Sequence, residues 1–139
     1  MILGKISPFF AGFFQTKISR IEQVEKTFVS WEEVEDFVKQ LCENYRDTNF
    51  TGVYGIPRGG CVLAVMISHA LNIPFLASPF PGCLVVDDIS DSGITLQHFR
   101  ECGYKIATMY FHGQTKVIPD FSICEKKDCW IVFPWEMEK

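Results

Sequence analysis

The sequence predicts a three-layer α/β fold, a mostly parallel sheet flanked by helices, on three observations. Short apolar runs alternate along the chain with segments of helical period. One of those runs, residues 83–86, is apolar on successive positions, as a strand covered on both faces must be. Glycine-rich turns stand where strands give way to helices. Such alternation implies right-handed crossovers, with ligands at the carboxyl ends of the strands.

Each element follows from its own signals. Ser30 and Glu33 have the spacing of a capping box, and Val34, Phe37, Val38, Leu41 and Tyr45 then recur on one helical face, so a helix is expected over about 31–45. Residues 51–55 form a short apolar run ending in Gly55-Ile56-Pro57-Arg58-Gly59-Gly60. After it, Val62, Leu63, Val65, Met66, His69 and Leu71 read as a mostly buried helix over 61–71. Short strands are expected at 73–76 and 83–86. A helix over 95–102 stops at Gly103, where a left-handed C-terminal cap would sit. A strand over 105–111 and a last one over 130–133 complete the pattern. Repeats and low-complexity segments are absent.

A chain of 139 residues with 47% hydrophobic content is the size of one compact domain and can bury a full core. Its formal charge of −4 gives no global field for nucleic acid, and no local basic patch compensates. No apolar run approaches a transmembrane span. The six cysteines, at 42, 61, 83, 102, 124 and 129, contain no CxxC pair and mostly lie in apolar runs, which suits a reducing cytoplasm and no structural zinc. Cys124 and Cys129 are close enough in sequence to cross-link or share a metal, although two unconnected thiols are the simpler reading. Residues 1–26 read as an extension before a domain at 27–139. The extension holds Lys5, Lys17, Arg20, Phe9, Phe10, Phe13 and Phe14, while Pro8 and Gly12 interrupt the continuous apolar core of a secretory signal. It reads as an amphipathic membrane-surface or partner-binding segment, or as a strand or helix covering the core edge.

The chemistry concentrates at 83–95. In Val85-Val86-Asp87-Asp88 a buried strand emerges into two adjacent carboxylates, which are costly to leave unpaired near a core unless a ligand or metal uses them. The chain then turns through Asp91-Ser92-Gly93-Ile94-Thr95 into a helix, so backbone N–H groups, two hydroxyls and the positive helix end converge as an anion cradle. Paired acids beside such a cradle suit a sugar whose vicinal hydroxyls donate to the carboxylates while its phosphate sits in the turn. Asp-Asp at a strand end also occurs in phospho-acceptor domains and metal sites. The complete string, apolar run, Asp-Asp, three residues, Ser-Gly-x-Thr, resembles the signature of the type I phosphoribosyltransferases.

The resemblance extends along most of 27–136 and is nearest to the xanthine-guanine branch of that family. Residues 27–60, TFVSWEEVEDFVKQLCENYRDTNFTGVYGIPRGG, look like that branch's start: a strand, a Trp-led helix, a strand and the Arg-Gly-Gly loop. Asn72-Ile73-Pro74 follows in kind, and Cys129-Trp130-Ile131-Val132-Phe133-Pro134-Trp135-Glu136 is similar to its Trp-Ile-x-x-Pro-Trp tail. The resemblance implies transfer of a phosphoribosyl group from 5-phosphoribosyl 1-diphosphate to a purine, with Mg²⁺ as cofactor and a homodimer or homotetramer as the assembly. It implies that Asp87 and Asp88 hold the ribose hydroxyls, Asp88 also facing the Mg²⁺, and that Asp91 manages the proton at the purine N7. Ser92, Gly93, Ile94 and Thr95 would wrap the 5-phosphate. Arg58, Gly59 and Gly60 look like the diphosphate loop, where the family often has a non-proline cis peptide; a surface salt bridge is the plainer reading of Arg58. Trp130 would stack on the base, with a buried core Trp as the alternative, while the Ile131 backbone reads the base's exocyclic edge.

Two departures from the family pattern are visible. The family's long mobile hood is reduced to residues 76–82, between Phe75 and Cys83. Where the family places a base-contacting lysine at the end of the strand 105–111, this chain has His112, with Lys116 nearby. Two functions therefore stand: a purine phosphoribosyltransferase closed by a partner subunit or by residues 1–21, and a non-catalytic module that senses phosphoribosyl diphosphate or a nucleotide.

Overall fold

The computed structural model describes residues 24–137, so the readings made for the Phe-rich segment lie outside the described residues. The elements run β1 (Lys26–Phe28), α1 (Trp31–Asn44), β2 (Val53–Gly55), α2 (Gly59–Leu71), β3 (Phe75–Leu76), β4 (Leu84–Ser90), α3 (Ile94–Glu101), β5 (Lys105–His112), β6 (Cys124–Lys126) and β7 (Trp130–Val132). Among the described residues, five strands form a parallel sheet in the order β3-β2-β4-β5-β6, and β1 pairs with β7 in a separate parallel ribbon.

The alternation of a strand's side chains sorts the core into two layers. Leu84 and Val86 of β4, with Ala107 and Met109 of β5, pack under α1 and α2. Cys83 and Val85, with Ile106, pack on the other face against Leu96 of α3. This is the three-layer arrangement expected. The α1 cap forms as its spacing requires: Glu33 N–H donates to Ser30 Oγ at 3.1 Å, and Ser30 N–H donates to Glu33 Oε2 at 2.7 Å. Val34, Phe37, Val38 and Leu41 are buried, and each such side chain contributes about 1.5–3 kcal/mol of hydrophobic stabilisation. Gly103 follows α3 with φ of 81°, the left-handed residue that ends the helix.

Several expectations are corrected. Helix α2 begins at Gly59, two residues early, and buries Leu63, Ala64 and Ile67, while Val65 and His69 are exposed. A helix apolar on nearly every position has no sequence period that reveals which face turns inward. Strand β4 continues through both aspartates to Ser90, because β5 supplies ladder partners as far as Phe111. Strand β6 was not anticipated. It is a three-residue edge strand carrying two charges.

The connection from β3 to β4 explains the absent hood. Because both strands pair parallel with β2, residues 77–83 must return from the carboxyl to the amino end of the sheet. They are tied down there, with Thr51 N–H donating to Gly82 O at 3.1 Å and Thr51 Oγ1 to Pro81 O at 3.0 Å. The return uses the whole segment and leaves none to overhang the carboxyl end. Among the described residues, no helix is long and apolar enough to cross a membrane.

Candidate active site

The site is built at the carboxyl end of β4. Pleating sends the neighbouring aspartates to opposite faces: Asp87 lines a recess of about 110 Å³ with residues 89–96, and Asp88 lines a larger cleft of about 840 Å³ with Arg58, Gly59, Val62 and Trp130. The main chain links them, Asp88 N–H donating to Asp87 Oδ1 at 2.8 Å. Burial pushes Asp87 up to about 8, and the charge of Asp88 adds to the rise. Asp88 is also raised, by burial first, with Glu136 pushing the same way and the contacts to Asp87 opposing. Among the described residues the ion pairs fall elsewhere. Two raised carboxyls without a cationic side chain between them favour a ligand that brings hydroxyl donors or positive charge.

The recess beyond Asp87 is a cradle shaped by Gly93. Its φ is 79°, and a Cβ there would stand 2.5 Å from Thr115 Oγ1 and 2.7 Å from Val117 N. The loop 115–117 is pinned against it: Lys116 N–H donates to Ser92 O at 3.0 Å, and Ser90 Oγ donates to Val117 O at 2.7 Å. Gly93 caps α3 with no side chain, so the helix's first N–H groups open into the recess with only a long contact from Ile94 N–H to Ser92 Oγ, 3.4 Å. Ser92, Gly93, Ile94 and Thr95 are thus brought together around one recess.

Arg58, Gly59 and Gly60 are brought to the Asp88 side. The peptide between Pro57 and Arg58 is cis. Gly59 lies against Asp88, where an added Cβ would overlap Oδ2, and Gly60 lies against the Val86 carbonyl. Arg58 is exposed on the cleft, and the surface salt bridge considered for it is not among the ion pairs of the described residues. The opening beside Asp88 fits a hard cation held by one carboxylate and completed by ligand oxygens, rather than a cage of protein ligands. Across the cleft, Trp130 is 59% exposed, which rules out the buried-core alternative. The ribbon holds it in place: Trp130 pairs with Lys26 and donates its N–H to Glu25 O at 2.8 Å, while Ile131 pairs with Thr27 and buries its side chain. Trp135, which lines the same cleft, stacks on Phe133 at 4.9 Å.

Asp91 stands apart from the aspartate pair, exposed at the cradle's rim, with Lys126 Nζ at 3.7 Å from its Oδ1. His112 accepts from Gln114 N–H at Nδ1, 3.2 Å, while its Nε2 lies 3.6 Å from Asp128 Oδ1, beyond hydrogen-bond distance. Lys116 contributes its backbone to the cradle, while its residue as a whole is exposed. Lys126, Thr115 and Glu136 were missed as site residues. The run Glu125-Lys126-Lys127-Asp128 reads as a solvated loop, and Thr115 carries no motif; Glu136 stood inside the quoted tail and was detectable there.

No family model matches the chain. It is 28% identical to a xanthine-guanine phosphoribosyltransferase of Chromohalobacter salexigens over 78% of this chain and 83% of that protein. It is 29% identical to a xanthine-guanine phosphoribosyltransferase of Idiomarina loihiensis over 79% and 86%. The crystal structure of a purine phosphoribosyltransferase from Pyrococcus horikoshii superposes with a TM-score of 0.71 at 30% identity, covering 82% of this chain and 96% of that one.

Proposed function

Because this chain belongs to the type I phosphoribosyltransferases, we propose that it transfers the 5-phosphoribosyl group of 5-phosphoribosyl 1-diphosphate to a purine of the guanine, xanthine or hypoxanthine type, releasing diphosphate. The observation that carries this reading is the division of labour around β4. One aspartate opens toward an oxyanion-sized cradle, and the next opens toward a cleft walled by Arg58, Gly59 and an exposed Trp130. A ribose lying across the strand end then has its hydroxyls on Asp87 and Asp88 and its 5-phosphate among the N–H groups of 93–95. Its diphosphate lies toward Arg58, and the base lies against Trp130.

In this arrangement the anomeric carbon loses its bond to a diphosphate oxygen and gains one to a base nitrogen. Positive charge builds on the sugar and negative charge on the leaving group, so preorganised donors facing the diphosphate lower the barrier. Arg58 and the N–H group of Gly59 supply them, while the Gly60 N–H is taken by Ile56 O at 3.0 Å. Asp91, at the rim, accepts the proton that the base holds at N7. The Ile131 backbone, fixed by the ribbon, reads the exocyclic edge. Asp88, together with the ligand's own oxygens, would hold a Mg²⁺, which would supply charge screening to the diphosphate. A cytoplasmic location and a homodimer or homotetramer complete the reading.

A second reading, binding of phosphoribosyl diphosphate or a nucleotide without turnover, is favoured by the β3–β4 connection, whose residues 77–83 supply no cover over the site. The two separate in one assay: phosphoribosyl diphosphate, Mg²⁺ and each of guanine, xanthine, hypoxanthine and adenine are incubated with the protein, and nucleotide is followed. Product from an oxopurine supports transfer. Tight ligand binding with no product from any base supports the second reading instead.

A further inference from the structure

We propose that the Phe-rich segment of this chain, through residues 6–14, docks in the apolar groove between α1 and α2, so that the chain covers its own exposed helix face. The inference is independent of the transfer reading, because the groove shares no lining residue with the cleft or the recess at the end of β4.

The groove, of about 930 Å³, runs from Glu35 to Arg46 on one side and from Val65 to Leu71 on the other. Its floor is apolar. Val38 is buried there, while Cys42, Met66 and Leu71 pack against the core and keep part of their surface open. At its lip Val65 is 44% exposed. Helix α2 carries no Asp, Glu, Lys or Arg over Gly59–Leu71. A helix apolar on every side is one that other chain covers, and the sheet covers only the side that holds Leu63, Ala64 and Ile67.

Charge, pattern and reach select the occupant. Helix α1 exposes Glu32, Glu35, Asp36 and Glu43 against Lys39, with Arg46 following the helix, whereas residues 1–21 hold Lys5, Lys17 and Arg20 and no acid. Opposite net charges therefore flank the apolar contact. Ile6, Phe9, Phe10, Phe13 and Phe14 recur at spacings of three and four, the pattern of an apolar helical face that suits a groove between two helices. The described chain starts at Val24, and β1 leads through Ser30 directly into α1, so the segment joins the domain beside the groove's own helix. Residues 15–23 can span about 30 Å when extended. That exceeds the roughly 21 Å length of α1, so the phenylalanines can reach any point along it.

Cys42, on the groove's floor, reports occupancy. The full chain is labelled with a maleimide under native conditions, and Cys42 is followed by peptide mass in wild type, in a Phe10→Asp, Phe13→Asp double variant and in Val65→Lys, over a wide range of protein concentration. Val65→Lys changes only an exposed side chain and serves should the double variant not fold. Cys42 is expected to react about 10-fold or more faster in the variants than in wild type, whose rate stays independent of concentration. In the full chain carrying Phe13→Cys, copper phenanthroline is expected to join position 13 to Cys42 within one chain, a link lost on adding Cys42→Ser. Equal Cys42 rates in wild type and folded variants overturn the inference, whether the segment then binds anionic phospholipid vesicles or nothing. Protection that grows with protein concentration, or a link between two chains, assigns the groove to a second copy and overturns it too.

Discussion

Gly59 and Asp88 meet across the end of the sheet with no room for a methyl group between them, since a Cβ on Gly59 would overlap Asp88 Oδ2. Gly60, one residue on, abuts the Val86 carbonyl instead. The two neighbours therefore fail differently. Gly59→Ala displaces the side chain proposed to hold the ribose, and is expected to weaken phosphoribosyl diphosphate binding by about 10-fold or more with little change in stability, the added helix propensity offsetting part of the crowding. Gly60→Ala presses on backbone and is expected to cost about 1–3 kcal/mol. Denaturant melts beside titrations of both variants check this; a Gly59→Ala protein that binds normally contradicts it.

The raised carboxyl of Asp87 makes the empty protein's stability depend on pH. Folded Asp87 titrates near 8, pushed there by burial and then by Asp88, against an ordinary value of 3.8. The folded chain thus holds a proton that the unfolded chain releases, and the associated stability is full below about pH 4 and is lost as pH rises through 8. Asp87→Asn keeps the shape without the titration. It is expected to stabilise the empty protein by roughly 1–3 kcal/mol at pH 9 relative to wild type and to flatten the decline between pH 5 and 9. Thermal melts across that range are the measurement, and parallel curves for the two proteins would refute the assignment.

Gly93 is required twice, by its φ of 79° and by the closeness of Thr115 and Val117. Gly93→Ala is expected to cost about 2–4 kcal/mol, the sum of left-handed strain and crowding, and to loosen the cradle. Inorganic phosphate should then protect the variant from thermal unfolding less than it protects wild type. Equal protection would place the phosphate elsewhere.

What could be read in advance, and what could not, follows from the range of the interactions involved. Helix α1 and the cradle were legible because their signals are local: a capping box three residues wide, a helical face, and a strand, two acids and a turn in unbroken succession. The faces of α2 were not, because its apolar residues surround it. The β1–β7 ribbon joins residues near 26 to residues near 130, and local propensity carries no record of such pairing. Strand β6 was hidden by its charges, and with it Lys126, the site's cationic neighbour to Asp91. The sequence departure at His112 pointed to a gap in base recognition, and the residue in register beside His112, Lys126, lies on a different strand.

The central claim is that residues 87–95 hold the ribose 5-phosphate. Calorimetric titration of phosphoribosyl diphosphate with Mg²⁺ into wild type and into an Asp87→Asn, Asp88→Asn double variant tests it most directly. Tight binding by wild type and a loss of about 100-fold or more in the folded double variant is the expected result, since two charge-assisted contacts to the ribose are removed together. Undiminished affinity in a folded double variant would contradict the account.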